Sequence, residues 1–167
     1  MVTRSKENTR GTPAERLRAV LQQAAHEGCE MEEVLEREAS ALAQRDVEAL
    51  TAASHDKQRL GESLERLGRE QLDLVRTLGF AASAEGMDAV LAQWDAQGQM
   101  RMHWTQLRES MERCRLANQA NGQVVWHQQK QVVQAVRTLR GVDMQADLYD
   151  PHGRTVSDGP SRHISKA

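Results

Sequence analysis

The seam between Leu50 and Leu78 constrains the fold most. Leu50, Ala53, Lys57, Leu60, Leu64, Leu67, Gln71, Leu74 and Leu78 recur at steps of three and four. That spacing puts one narrow stripe on a helix, facing another helix. From Asp46 to Leu78 such a rod would span about 50 Å at 1.5 Å per residue. A rod of that length must lie along another to bury its stripe. Gly79 follows as the expected C′ residue.

Two more stretches share the pattern. Leu17, Leu21, Ala24, Gly28, Met31, Leu35, Ala39 and Leu42 predict a first helix from Pro13 to Gln44. Thr12, Pro13 and Glu15 supply a cap, a first-turn proline and a capping-box partner. Gly28 falls on the stripe, where it would let a partner helix come close. Asp46 is a plausible N-cap for the second helix, although Arg45-Asp46 also suits a kink in one continuous rod. A third long helix is predicted from Gln99 to Arg140, stopped by Gly141. Its seam reads Met100, Trp104, Leu107, Met111, Cys114, Asn118, Asn121, Val125, Gln128, Val132, Ala135 and Leu139. Between the second and third rods, Ser83 can cap a short helix carrying Met87, Val90, Leu91 and Trp94.

The expected fold is therefore all-α: an elongated antiparallel helical bundle of three long helices with a short connecting helix and an irregular C-terminal tail. Residues 1–12 read as a flexible leader, 13–142 as the bundle, 143–156 as a C-terminal docking segment and 157–167 as a disordered tail. The aromatic residues are few: Phe80, Trp94, Trp104, Trp126 and Tyr149. They suit narrow seams of Leu, Val, Met and Ala rather than a wide core.

Several functions are disfavoured. Charges of both signs alternate and the formal net charge is −2, so no basic stripe tracks a nucleic-acid backbone. No apolar run is long enough for membrane insertion, and the N-terminus lacks a signal-peptide stretch. A cytoplasmic protein is expected, with Cys29 and Cys114 as free thiols filling small gaps. The glycines form no phosphate loop, and no serine sits in a nucleophile elbow. His26 and Cys29 have the spacing of half a zinc site, but no second pair completes it. The chain is expected to have no cofactor, no metal and no catalytic residue. Glu30, Glu32, Glu33, Glu36 and Glu38 read as a solvated face rather than a carboxylate site.

Asn118 and Asn121 stand on the seam of the third helix. They are a register device, since a buried amide must find a partner, or a spot where a partner displaces a helix, or else a place where the seam turns to water. Just beyond them apolar residues crowd a short stretch: Val124, Val125, Trp126, Val132, Val133, Val136, Leu139, Val142, Met144 and Leu148. One partner helix does not cover so wide a surface. Val125, Val132, Val136 and Leu139 are the expected seat of a guest helix, unless the short helix around Val90 covers them.

Four segments, in order, resemble the FlgN family of flagellar export chaperones. They are Arg45-Asp46-Val47-Glu48-Ala49-Leu50 with Lys57, the close Leu74-Val75-Arg76-Thr77-Leu78-Gly79, the stretch Leu116-Ala117-Asn118-Gln119-Ala120-Asn121-Gly122, and the ending Leu148-Tyr149-Asp150-Pro151-His152-Gly153-Arg154. The resemblance covers roughly residues 14–156. It implies a cytoplasmic chaperone without ATP or catalysis. Such a protein binds the C-terminal helical regions of hook-associated (hook–filament junction) proteins, prevents their premature assembly and delivers them to the flagellar type III export apparatus. It further implies that Tyr149 docks on the cytoplasmic domain of the export gate, against the plainer reading of an aromatic anchor for the C-terminal segment. The competing class is a structural coiled-coil or adaptor protein acting by self-association. Its seam would run uninterrupted, whereas Gly28, Lys57, Gln71 and the Asn pair interrupt this one.

Overall fold

A computed structural model describes residues 11–139. They contain four helices and no strand: α1 (Pro13–Gln44), α2 (Val47–Thr77), α3 (Ala84–Trp94) and α4 (Gln99–Leu139). The chain divides into two compact units, Met1–Trp126 and His127–Ala167. Within the first, cross-helix pairs fix the directions. Arg16 meets Glu70 and Arg37 meets Asp56, so α2 runs antiparallel to α1. Glu32 meets Arg113 and Leu35 meets Asn121, so α4 runs parallel to α1.

Local chemistry explains where each helix starts and stops. Thr12 and Glu15 form the capping box at α1. The α1–α2 junction is a true break: Arg45 takes a left-handed conformation with φ 56, and Asp46 caps α2 by accepting the Ala49 N–H at 3.0 Å. Gly79, at φ 90, follows the end of α2. Ser83 caps α3 through Gly86 N–H. Asp95 accepts the N–H groups of Met100 and Arg101 in the first turn of α4, a cap the sequence reading passed over.

The core lies in two clusters. One joins Leu17, Val20, Leu21, Leu67, Leu74, Val75, Met87, Val90, Leu91, Met100 and Leu107. The other joins Met31, Val34, Leu35, Ala53, Leu60 and Cys114. Helix α3 spends its apolar face on the first of these. The expected stripe of α1 needs one correction: Ala39 is exposed, whereas Val20, Val34, Glu38 and Ala41 are buried. Packing against both α2 and α4 demands a broader buried face than a two-helix seam.

Gly28 is where α1 and α4 come close. A Cβ built there would lie 3.3 Å from Ser110 Cβ, tighter than ordinary van der Waals contact. Gly68, inside α2, has no neighbour within 4 Å of the same position. Gly68→Ala is therefore expected to stabilise the protein by about 0.5–1 kcal/mol through helix propensity. Gly28→Leu is expected to destabilise it by about 1–3 kcal/mol through overpacking. Urea midpoints of the two variants should move in opposite directions.

Candidate functional site

Where hydrophobic side chains would continue the seam, α1, α2 and α4 bring together Glu38, Lys57 and Asn121. Glu38 is only 7 % exposed. One carboxylate oxygen pairs with Lys57 Nζ, and the other accepts from Asn121 Nδ2 at 2.9 Å. The same amide nitrogen donates to the Leu35 carbonyl at 3.0 Å. Asn118 is exposed and accepts from Lys57 at a long 3.4 Å. A carboxylate without partners would be costly at this depth. Here each of its oxygens has a donor, and the Lys57 stem can keep its ammonium near water.

A second polar contact joins α1 and α4 nearer the Gly28 contact. Arg113 grips Glu32 with two donors, Nε at 2.6 Å and Nη2 at 2.9 Å, and the buried Ser110 hydroxyl donates to the same carboxylate. The Arg113 hydrogen bonds hold the Glu32 carboxyl below its ordinary value, with help from Ser110 and from the arginine charge, although partial burial pulls the other way. Both cysteines are free. Cys29 accepts from Gln106 Nε2 at 3.4 Å, and Cys114 donates to the Gly28 carbonyl at 3.8 Å. Burial pushes the Cys114 thiol up to about 11, with the Glu32 charge adding to the effect. It stays a thiol at neutral pH and packs as a small apolar group.

Beyond Asn121 the same stripe of α4 changes character. Val125, Val132, Val136 and Leu139 are exposed, Val132 by 62 % and Leu139 by 86 %. Their spacing of seven, four and three residues keeps them on one face of the helix. Val124, Trp126 and Val133 flank them and are exposed as well.

The structure separates the two asparagines: Asn121 turns inward and Asn118 outward. It also corrects the reading of the α1 acids. Glu33 and Glu36 face solvent, but Glu38 is buried and Glu32 is partly covered. The signal for Glu38 was available: it stands three residues after Leu35 and four before Leu42, at seam spacing, and its partner Lys57 interrupts the α2 seam. Tyr149 lies outside the described residues, as do Arg140, Gly141 and the segments 143–156 and 157–167. Among the described residues, no group of three or more His, Cys, Asp or Glu is placed to hold a metal ion, and no helix is long and apolar enough to cross a membrane.

Long helices packed on one another through apolar clusters and a polar centre define an all-α helical bundle among the described residues. The family model described as FlgN protein matches residues 14–157. The chain belongs to the FlgN family and is a flagellar export chaperone. No curated protein and no solved structure matches it.

Asn121→Leu removes a donor from a buried carboxylate, and the expected loss is about 1–3 kcal/mol. Glu38→Leu/Asn121→Leu removes both partners and should lose less than the two single changes combined, because no acceptor is then stranded. Denaturant titration of the four proteins measures that coupling.

Glu32 sets an acid-side expectation. Its folded value lies below the ordinary 4.5, so its contribution to stability is complete above the unfolded value and is lost as pH falls through the folded one. Melting temperatures followed downward from pH 5 should fall less steeply for Glu32→Gln than for the parent. Parallel curves would remove Glu32 from the acid response.

Proposed function

We propose that this chain is a cytoplasmic chaperone that seats the C-terminal helical region of a hook-associated protein on Val125, Val132, Val136 and Leu139. The observation that carries the reading is the change along one stripe of α4, buried at Met100, Leu107, Cys114 and Asn121 and exposed at Val125, Val132, Val136 and Leu139. A guest helix has an apolar stripe of its own to hide, and helix-in-groove packing satisfies both. Covering that stripe keeps the client from assembling before export. Chemistry plays no part: the protein acts by binding alone.

Delivery to the cytoplasmic domain of the export gate is assigned to Tyr149. Its support is the similarity of the Leu148-Tyr149 to Gly153-Arg154 ending to that of the family. Asn121 acts as the register residue, supported by its bonds to Leu35 and Glu38 of α1. Asn118 supplements it through Lys57.

Val132→Asp is the direct test. It places a charge on the proposed seat, at a site already exposed to water. Calorimetry against the C-terminal region of a hook-associated protein should show at least about tenfold weaker binding, the effect of losing one apolar anchor, with unchanged helicity. Parental affinity would place the client elsewhere.

A further inference from the structure

The exposed apolar surface of the second unit has two unlike borders. Val132, Val136 and Leu139 follow one another at steps of four and three, and Val133 stands three residues from Val136, so the four form one continuous surface on α4. Lys130 lies three residues before Val133 and Arg137 four after it, so both cations stand along the Val133 border. The other border runs through Gln128, Gln131, Ala135 and Thr138, none of them charged. The four apolar side chains are exposed, and so are Lys130 and Arg137. No acid accompanies these cations along the helix. Elsewhere arginines have one a turn away: Arg69 pairs with Glu65, Arg76 with Asp73 and Arg115 with Glu112. Beyond Glu112 the rest of α4 contains no aspartate or glutamate.

We infer that the helix seated on this surface carries aspartate or glutamate along one border only, the border that lies over Lys130 and Arg137. The inference rests on the client seat proposed above and names the chemistry of its occupant. An acidic border complements the two cations, whereas a basic one opposes them. A second copy of this chain is a poorer occupant, because the same stretch of its α4 has no acid to offer. Exposed ion pairs are individually weak, so the valines and Leu139 supply most of the affinity and the charged border discriminates between guests. Unequal borders also select a direction. A guest helix that kept its apolar face on the seat but ran the other way would carry its acids to the Gln131 and Thr138 side, away from the cations. Charges at the edges of paired helices set partner choice and orientation in this manner.

Two synthetic amphipathic helical peptides, titrated into the full chain, test this. They share a leucine stripe and differ only along one border, which carries glutamate in the first and lysine in the second. Calorimetry at low salt should show the glutamate peptide binding about tenfold tighter, and raising salt should narrow the gap. Lys130→Glu/Arg137→Glu should reverse the preference with helicity unchanged. Equal affinity of the parent for both peptides overturns the acidic border, as does a preference that the double substitution leaves intact. So does a parent that is dimeric by light scattering, turns monomeric as Val132→Asp and binds neither peptide, since a second copy then holds the surface. Failure of the seat is read separately. Val132→Asp that binds the glutamate peptide at parental affinity removes the seat itself, whereas a seat that passes this test without preferring either peptide loses only its acidic border.

Discussion

Sliding of α4 along α1 is blocked at two levels, and the placement of the other elements follows from that. At the lower level Ser110 packs into the notch left by Gly28. At the upper level Asn121 bonds the Leu35 carbonyl and the Glu38 carboxylate. A slip of one turn, about 5.4 Å, would bring a different side chain onto Gly28 and leave Glu38 buried without its amide donor. Leucine seams alone tolerate such shifts, because one leucine replaces another. A notch and a buried amide do not, and this is the use of buried polar groups best attested in helical assemblies.

The register has a consequence for α4 itself. Asn121 fixes which face of the helix turns inward, and Val125 stands one turn further along that face. Up to Trp126, the face that α4 turns towards the bundle is set by these contacts. Glu38 and Lys57 contribute to that placement although neither belongs to α4. A seat on a helix, as proposed for Val125, Val132, Val136 and Leu139, would lose less conformational entropy on being covered than one on a loop.

Much of this was readable in the sequence because it repeats. The helix limits at Pro13, Gln44 and Gln99, the caps at Thr12, Asp46 and Ser83, and the close approach at Gly28 all follow from local chemistry and seam spacing. The three-body features were less readable, because they depend on which polar residues of different helices meet. A stripe read from apolar residues alone takes Ala39 inward and passes over Glu38, although Glu38 stands at seam spacing between Leu35 and Leu42 and is buried against α2 and α4. Asn118 and Asn121 look equivalent along one seam, and only the position of Lys57 on a second helix separates the amide that is enclosed from the one at the edge. Asp95 was passed over for a similar reason: it caps α4 from outside the predicted helix, across Gly98.

The chemistry of the exposed stripe also bears on how the proposed client complex would come apart. Burying the four side chains of the proposed seat would contribute on the order of 6–12 kcal/mol. Association and the ordering of a guest helix oppose this with about 4–15 kcal/mol. The surplus is small even when the client's own apolar face is added, so such a complex forms and dissociates without coupled chemistry. Widening the stripe with more leucine would raise affinity at the expense of release. It would also enlarge an apolar surface that invites aggregation whenever it is empty. Valine at three of the four positions of the proposed seat, with cationic side chains on the same helix, would hold a partner while keeping the exposed apolar surface modest.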